Sequence, residues 1–353
     1  MNIEVIDLFC GVGGLSAGFR NEGFKVVAGV DIDSTCKYAY ETNIGAKFIS
    51  KSVADIHSDE LKSLYSKGVR RILIGCAPCQ PFSAYTGRYR RNETNEDTDN
   101  RWILLRTFSD LIKETKPEIV SMENVPRLTQ HPEFKEFVKT LEKNNYNVTW
   151  YKVNAEEYGV PQKRNRLVLF ASRYGIVKLI QPTHKSKPMT VRDAIGSLPA
   201  IEAGKTHSKD VLHTSRGLSE RNLRRLKATR EGGSWKDWEE ELQLDCHKKE
   251  SGKSFGAVYG RMSWDQPSPV ITTQCLGLGN GRFGHPQQDR AISIREAAIL
   301  QSFPSNFQFV RSGEKVSGAR LSRQIGNAVP PRLGEVVARS IKNHLEQYIN
   351  PAA

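Results

Sequence analysis

Short apolar runs of strand length alternate with helical runs along the first 172 residues of this 353-residue chain, and that alternation leaves few folds open. Strands separated by helices do not pair as hairpins; they form a mostly parallel sheet covered by helices on both faces. The pattern predicts strands at residues 5–9, 25–30, 47–49, 71–75, 119–122, 147–153 and 167–171, with helices at 15–22 and 34–43. After Gln181-Pro182-Thr183-His184 the alternation is lost and Gly, Ser, His and Lys become frequent, so an irregular second unit is expected there. Regularity returns at 293–302 and in a closing helix near 334–348. The expected architecture is α/β. A Rossmann-like sheet domain occupies residues 1–183 and is completed by 324–353, with a smaller irregular domain and hinge over 184–323.

Charge and cysteine usage narrow the classes of function. The 52 Lys and Arg against 39 Asp and Glu leave a formal charge of +13, which favours a polyanionic partner without naming one. Met1-Asn2-Ile3-Glu4 enters a strand at once, with no room for a signal peptide, and no apolar run approaches the roughly 18 residues of a membrane span. A cytoplasmic, soluble protein is expected. The six cysteines do not form a disulfide framework in a chain of this length and kind. Cys76-Ala77-Pro78-Cys79 has the spacing of a redox pair, but such a pair belongs at a helix start, and Gln80-Pro81-Phe82-Ser83 reads as a loop. No second Cys or His pair stands at ligand spacing, so no metal is expected.

Ligands of an open α/β sheet bind outside the C-terminal ends of its strands, and several strands here deliver reactive groups to that edge. The first runs into Gly11, Gly13 and Gly14, whose turn lets backbone approach a ligand closely before a helix offers its N-terminal N–H groups. The second ends at Asp31, 20 residues after Gly11, where a carboxylate can accept from ribose hydroxyls. Alternatively Asp31 caps the next helix, a task that Asp33 or Ser34 could also fill. Asp55, after the third strand, either borders an adenine or simply turns the chain. The run 71–75 delivers Pro78-Cys79-Gln80, and the run 119–122 delivers Glu123-Asn124-Val125. One thiol and one carboxyl group can therefore converge. Taken singly, Cys79 reads as a buried cysteine and Glu123 as half of an ion pair; their shared place at strand tips favours chemistry.

Six segments in order resemble the motifs of the DNA cytosine-C5 methyltransferases. They are Asp7-Leu8-Phe9-Cys10-Gly11-Val12-Gly13-Gly14-Leu15-Ser16, Gly75-Cys76-Ala77-Pro78-Cys79-Gln80-Pro81-Phe82-Ser83 and Glu123-Asn124-Val125. There follow Gln162-Lys163-Arg164-Asn165-Arg166, the stretch from Arg295 through Gln301-Ser302-Phe303-Pro304, and Gln324-Ile325-Gly326-Asn327-Ala328-Val329-Pro330-Pro331. The resemblance covers nearly the whole chain apart from the second domain. It implies a monomeric enzyme that moves a methyl group from S-adenosylmethionine to C5 of a cytosine in duplex DNA, leaving S-adenosylhomocysteine, as in bacterial restriction-modification systems with a cognate endonuclease. By the same resemblance Cys79 is the nucleophile, Glu123 acts on the base, and Arg164 and Arg166 hold the flipped cytosine and its phosphate; two ordinary surface arginines are the alternative. Phe9, Gly11, Gly13, Gly14, Asp31, Ile32, Asp55, Ile56, Leu104, Asn327 and Ala328 would contact the cofactor. Pro78 would orient the loop, and Gln80 and Ser83 would touch DNA.

The chemistry explains why these residue types are needed. Cytosine C5 is a poor nucleophile while the ring is aromatic; a thiolate adding at C6 turns C4–C5 into an enamine that can take up an electrophilic methyl. A carboxyl group that shares or donates a proton at N3 stabilises the charge this places on the ring. The chain departs from common family patterns in a long loop over residues 82–101 and in Asn327-Ala328, where Asn-Ser is frequent.

C6 is hidden inside a duplex, so the cytosine must be rotated out and a second surface must grip the DNA. The basic stretch 215–227, with Leu223 and Leu226 on one helical face, is one candidate, although a solvated basic helix on an apolar footing fits it equally. Gly232-Gly233-Ser234 could bring backbone amides to phosphates. Gly277-Leu278-Gly279-Asn280-Gly281-Arg282-Phe283-Gly284 is the better candidate, since Arg282 can pair with phosphate or guanine. Two alternatives stand beside this reading: an RNA methyltransferase of the same fold, whose usual Cys-Phe-Thr tripeptide is absent, and a DNA-binding protein without catalysis, which the joint presence of Cys79 and Glu123 disfavours.

Overall fold

A computed structural model describes residues 2–78 and 95–349, which form two compact units. Cys79, Gln80 and Ser83 lie outside the described residues. The first unit comprises Met1–Ala155, Asn165–Pro182 and Val329–Ala353; the second comprises Glu156–Arg164 and Thr183–Ala328.

In the first unit β1 (Ile3–Leu8), β2 (Lys25–Asp31), β3 (Lys47–Ser50), β4 (Arg70–Gly75), β5 (Ile119–Asn124), β6 (Asn147–Asn154) and β7 (Asn165–Ser172) form a seven-stranded sheet in the order β3-β2-β1-β4-β5-β7-β6. The strands expected from the sequence are all present. β1 to β5 pair in parallel, and β7 enters antiparallel between β5 and β6. β1 and β5 are buried at every position, as central strands covered on both faces must be. The chain moves outward from β1 to β3 and then returns to β4 on the other side of β1. That reversal makes the gap between the tips of β1 and β4 the switch point of the sheet.

Helices α1 (Gly14–Asn21), α2 (Lys37–Ile44), α3 (Ser58–Ser63), α4 (Asn95–Thr115) and α5 (Pro132–Lys143) connect these strands. The helix expected at 34–43 opens as a short 3-10 turn over Ser34–Cys36 before α2 begins. The loop expected to reach residue 101 ends sooner, because α4 starts at Asn95. Its first residues are polar and charged, and the helical period becomes visible only at Trp102, Leu105, Phe108 and Leu111, which enter the core. α5 likewise buries Phe134, Phe137 and Leu141, one face of a helix with polar residues on the other.

In the second unit, helix α6 (Val191–Ile195) and the hairpin of β8 (Thr206–His207) and β9 (Asp210–Thr214) come first. Then follow α7 (Glu220–Lys227), α8 (Asp245–Lys248), α9 (Glu250–Lys253), α10 (Ile294–Leu300) and α11 (Gly318–Asn327). Its interior is unusually polar. Arg290 is fully buried and donates from Nη1 and Nη2 to the two oxygens of Glu296 at 2.7 Å each, while Ser293 N donates to Glu296 Oε2 at 2.6 Å. Arg261 donates to the carbonyls of Leu226, Thr229, His285 and Gln288. Burial beside these cations drives the His285 imidazole down to about 4.

The closing helix α12 (Pro331–Ile349) belongs to the first unit and packs against α1. The two helices approach so closely that a Cβ at Gly18 would stand 2.3 Å from Glu335 N. Arg339 pairs with both oxygens of Glu22 across the same contact.

Candidate active site

The glycine turn at the tip of β1 is held in place by the strand beside it. Cys10 N donates to Val30 O at 3.1 Å and Gly11 N to Asp31 Oδ2 at 2.8 Å, so the turn is tied to the end of β2. Phe9, Gly11 and Gly13 have φ of 60°, 51° and 93°; glycine adopts that region without strain, and Phe9 adopts it at a cost. A Cβ at Gly11 would meet nothing, so the space over the turn is open, whereas one at Gly13 would strike Ile44 and Tyr40. Gly14 begins α1, whose N-terminus carries no side-chain cap and no acidic residue in its first turn. Its leading N–H groups are left for a ligand.

Asp31 is the residue whose two readings the geometry separates. Asp33 Oδ1 accepts from Thr35 N at 3.1 Å and is the cap of the next turn, so Asp31 does not cap it. Instead Asp31 takes Gly11 N and Asp33 N on its two oxygens, and burial raises its carboxyl above the usual range against the pull of those donors. Ile32, the next residue, is 75% exposed, a large apolar side chain standing free at the ligand edge. Asp55 is exposed in the turn Val53–Asp55 after β3, while the side chain of Ile56 packs in the core beneath. Leu104 is half-buried on α4.

The tips of β4 and β5 lie side by side. Pro78 is exposed at the end of the described segment, and the buried Asn124 donates from Nδ2 to Ala77 O at 3.0 Å while its Oδ1 accepts from Val125 N. Glu123 is 4% exposed. The Cys76 thiol donates to its Oε2 at 3.0 Å, and Arg166 Nε lies 2.9 Å from Oε1 as an ion pair. That N–H is not aligned as a hydrogen bond, so Oε1 is buried without a hydrogen-bond donor among the described residues. Cys10, Cys36 and Cys275 are buried and poorly placed to react, and burial beside Asp7 and Asp31 pushes the Cys10 thiol well up; Cys246 is exposed on α8 of the second unit.

The two arginines of the Gln162–Arg166 element part company. Arg166 is the second residue of β7 in the first unit and pairs with Glu123. Arg164 is a residue of the second unit, 4% exposed, its Nη1 within 3.4 Å of Gln162 Oε1 and Ile271 O and its Nη2 within 3.4 Å of Ala328 O. Gln162 completes that network by donating to Leu300 O and Gln301 Oε1, and Gln301 donates to Ala328 O at 2.6 Å. Asn327 is exposed at the end of α11.

Within the second unit, Arg282 is half-buried and donates from Nη1 to the carbonyls of Gly232, Gly233 and Arg261, so that nitrogen is engaged by the protein's own backbone. In the basic stretch, Arg225 is buried against Trp238 and Tyr259, and Arg224 pairs with Glu241 at 2.5 Å. Arg216, Arg221 and Lys227 remain exposed. Among the described residues no cluster of His, Cys, Asp and Glu could hold a metal ion, and no helix is long and apolar enough to cross a membrane.

The family model for the C-5 cytosine-specific DNA methylase matches residues 3–343. The chain belongs to that family. It is a DNA (cytosine-5-)-methyltransferase. It is similar to the type II methylase M.HgiDII of Herpetosiphon aurantiacus, at 52% identity over 97% of this chain and 96% of the relative. The type II methyltransferase M1.HphI of Haemophilus parahaemolyticus is 31% identical over 97% of this chain and 87% of its own length. A solved structure of a prophage-encoded E. coli protein shares the fold, with a TM-score of 0.74 at 24% identity over 98% of this chain and 99% of that one. Two residues beside Glu123 in the methyltransferase's candidate site were given no contact by the sequence: Cys76, which was weighed only as half of a redox pair, and Asn124, which entered only as part of the Glu123-Asn124-Val125 motif. The parallel register, which sets Ile74 beside Ser121 and Gly75 beside Met122, is the signal that would have aligned them with Glu123 and Ala77.

Proposed function

We propose that this methyltransferase modifies C5 of a cytosine rotated out of duplex DNA, with Cys79 as the attacking thiol, Glu123 acting at N3 and S-adenosylmethionine as methyl donor. The observation that carries the reading is Glu123 Oε1, a buried carboxyl oxygen at a strand tip with no hydrogen-bond donor among the described residues. Its ion pair with Arg166 leaves that oxygen without an aligned hydrogen-bond partner, which a ligand can supply. A ring nitrogen that must be protonated as charge develops is such a partner.

The first unit has groups that fit the cofactor. The open space over Gly11, the uncapped start of α1, Asp31 at the end of β2 and the bare Ile32 side chain match a carboxylate, ribose hydroxyls and a flat heterocycle in turn. When bound, S-adenosylmethionine supplies an electrophilic methyl group on a cationic sulfur. Phe9, Gly13, Gly14, Asp55, Leu104, Asn327 and Ala328 remain assigned to that site by motif, Pro78 to the orientation of the loop, and Ile56 serves from the core below it.

Cys79 forms its bond to C6, and the electron pair released makes C5 nucleophilic. Glu123 shares a proton with N3 as negative charge reaches the ring, and Arg166 keeps the carboxyl group in place by its ion pair. Once C5 carries the methyl, loss of the C5 proton returns an electron pair that expels the Cys79 thiolate and restores the aromatic ring. Arg164 acts at one remove, within the Gln162–Gln301 network of the second unit. The second unit reads the target sequence, with its Arg282 assigned to DNA contact, and Gln80 and Ser83, which follow β4 in the sequence, are assigned to DNA contact as well. The enzyme works as a cytoplasmic monomer, and the type II names of its relatives support a cognate endonuclease as its functional counterpart.

A cytosine carrying fluorine at C5 tests the scheme. It accepts the methyl group, but no proton remains to be lost, so a protein–DNA adduct stable to denaturant should accumulate. The adduct should need S-adenosylmethionine, map to Cys79 by peptide mass and vanish in Cys79→Ser. Adduct that survives in Cys79→Ser, or that maps to another cysteine, would falsify the assignment of the nucleophile.

A further inference from the structure

The two oxygens of Glu123 are treated differently by the fold. Oε2 accepts from the Cys76 thiol at 3.0 Å; Oε1 lies 2.9 Å from Arg166 Nε and has no hydrogen-bond donor among the described residues. A carboxyl group held only by an ion pair at one oxygen, with no aligned hydrogen bond, can still turn about its terminal torsion, and its reacting atom is then correctly aimed only part of the time. The sheet puts Cys76 where it can prevent this. β4 and β5 run parallel with Gly75 beside Met122, so the residue after Gly75 meets the residue after Met122. The Asn124 amide ties Ala77 O to β5 at 3.0 Å, which fixes the backbone next to Cys76 as well.

We propose that Cys76 is a positioning residue for Glu123, its Sγ–H fixing Oε2 so that Oε1 is the atom presented to the cytosine. This rests on the reading of Glu123 given above. A thiol suits the task because it donates one weak hydrogen bond without bringing a charge. A lysine there would compete with Arg166 for the carboxylate. The role requires no bond between the two cysteines of Cys76-Ala77-Pro78-Cys79, and it gives the first of them a use that redox chemistry does not.

The test compares the full-length parent with Cys76→Ala, Cys76→Ser, Glu123→Gln and the combined Cys76→Ala/Glu123→Gln variant. Single-turnover transfer of tritiated methyl from S-adenosylmethionine to genomic duplex DNA is measured, together with cofactor affinity by calorimetry. Cys76→Ala should slow transfer about tenfold, the scale of one hydrogen bond to a charged group, with cofactor affinity unchanged. Cys76→Ser keeps a donor and should recover most of that loss. In the Glu123→Gln background the alanine change should cost less than about twofold, because two residues acting through one group are not additive. A parental rate in Cys76→Ala while Glu123→Gln is slow would overturn this inference alone, as would equal slowing by serine and alanine. So would a full tenfold loss on top of Glu123→Gln. If Cys76→Ala fails to bind cofactor, the serine variant decides: a near-parental rate supports the role, and a rate about tenfold down with intact cofactor binding overturns it. Glu123→Gln at the parental rate would overturn both this inference and the reading beneath it.

Discussion

Asp7 and Asp31 stand at the ends of neighbouring strands, and their surroundings put them to different uses. Asp31 is partly open and keeps backbone donors on both oxygens. Asp7 is fully enclosed under the glycine turn, where Ser16 Oγ donates to its Oδ2 at 2.6 Å and meets Tyr40 Oη at 3.0 Å. Burial pushes its carboxyl from the ordinary 3.8 up to about 7, against the pull of Ser16 and with the Asp31 charge adding to the rise. A raised acid in the folded state favours folding when protonated. Its contribution is therefore fully present below about 3.8, is lost as pH climbs toward about 7, and is flat above that. Urea midpoints of the parent and Asp7→Asn should show this: the parent's advantage shrinks across that window and then stays constant. A difference independent of pH would mean that folding does not shift the Asp7 carboxyl. The arginines show the same dependence on surroundings, since Arg166 reaches a carboxylate while Arg164, two positions earlier, is spent on carbonyl oxygens.

Elements in the first unit are joined most tightly where α1 meets α12. Gly18 and Gly334 face each other, and a Cβ at Gly18 would come within 2.5 Å of Gly334 Cα. Backbone cannot yield as a flexible side chain can, so Gly18→Ala must push the helices apart. Overpacking of this kind costs about 1–3 kcal/mol, and the denaturant midpoint of Gly18→Ala should fall accordingly. An unchanged midpoint would show that the contact relaxes without loss. The same contact brings the end of the chain back onto the helix that begins at the glycine turn, and Arg339–Glu22 and Asn21–Glu335 reinforce it. Loosening it should therefore also weaken cofactor binding, which calorimetry on the same variant would register.

At the scale of the whole molecule the formal charge of +13 is the dominant electrostatic fact. Each phosphate neutralised by Lys or Arg releases a counterion, so affinity for duplex DNA should fall steeply between about 50 and 200 mM salt. Filter binding across that range would show a steep negative slope; a flat response would count against a phosphate grip. Arg225 and Arg224 should add little to it, because one is buried against aromatic rings and the other is paired. Exposed Arg216, Arg221 and Lys227 are the members of that stretch free to contribute to the slope.

The seven strands and the order of the motif segments were legible in the sequence, because a buried parallel strand is a short apolar run and a glycine turn needs its glycines. α4 was legible only from Trp102 onward, where its apolar period begins. The second unit hid its architecture because much of its interior is held by Arg261, Arg290 and Glu296, and hydrogen-bonded charge leaves no periodic trace. In the candidate site, the glycines, Asp31 and Glu123 were named from their places at strand tips, and so was Cys79, which lies outside the described residues. Which acid capped the turn after β2, which arginine met Glu123, and which oxygen of Glu123 was left without a hydrogen-bond donor were decided by tertiary structure. The two outcomes at Glu123 depend on the register of β4 against β5 and on β7 entering antiparallel beside β5. Strand pairing of that kind joins residues 40 or more positions apart, such as Cys76 with Glu123, and nothing local in either segment records the partner.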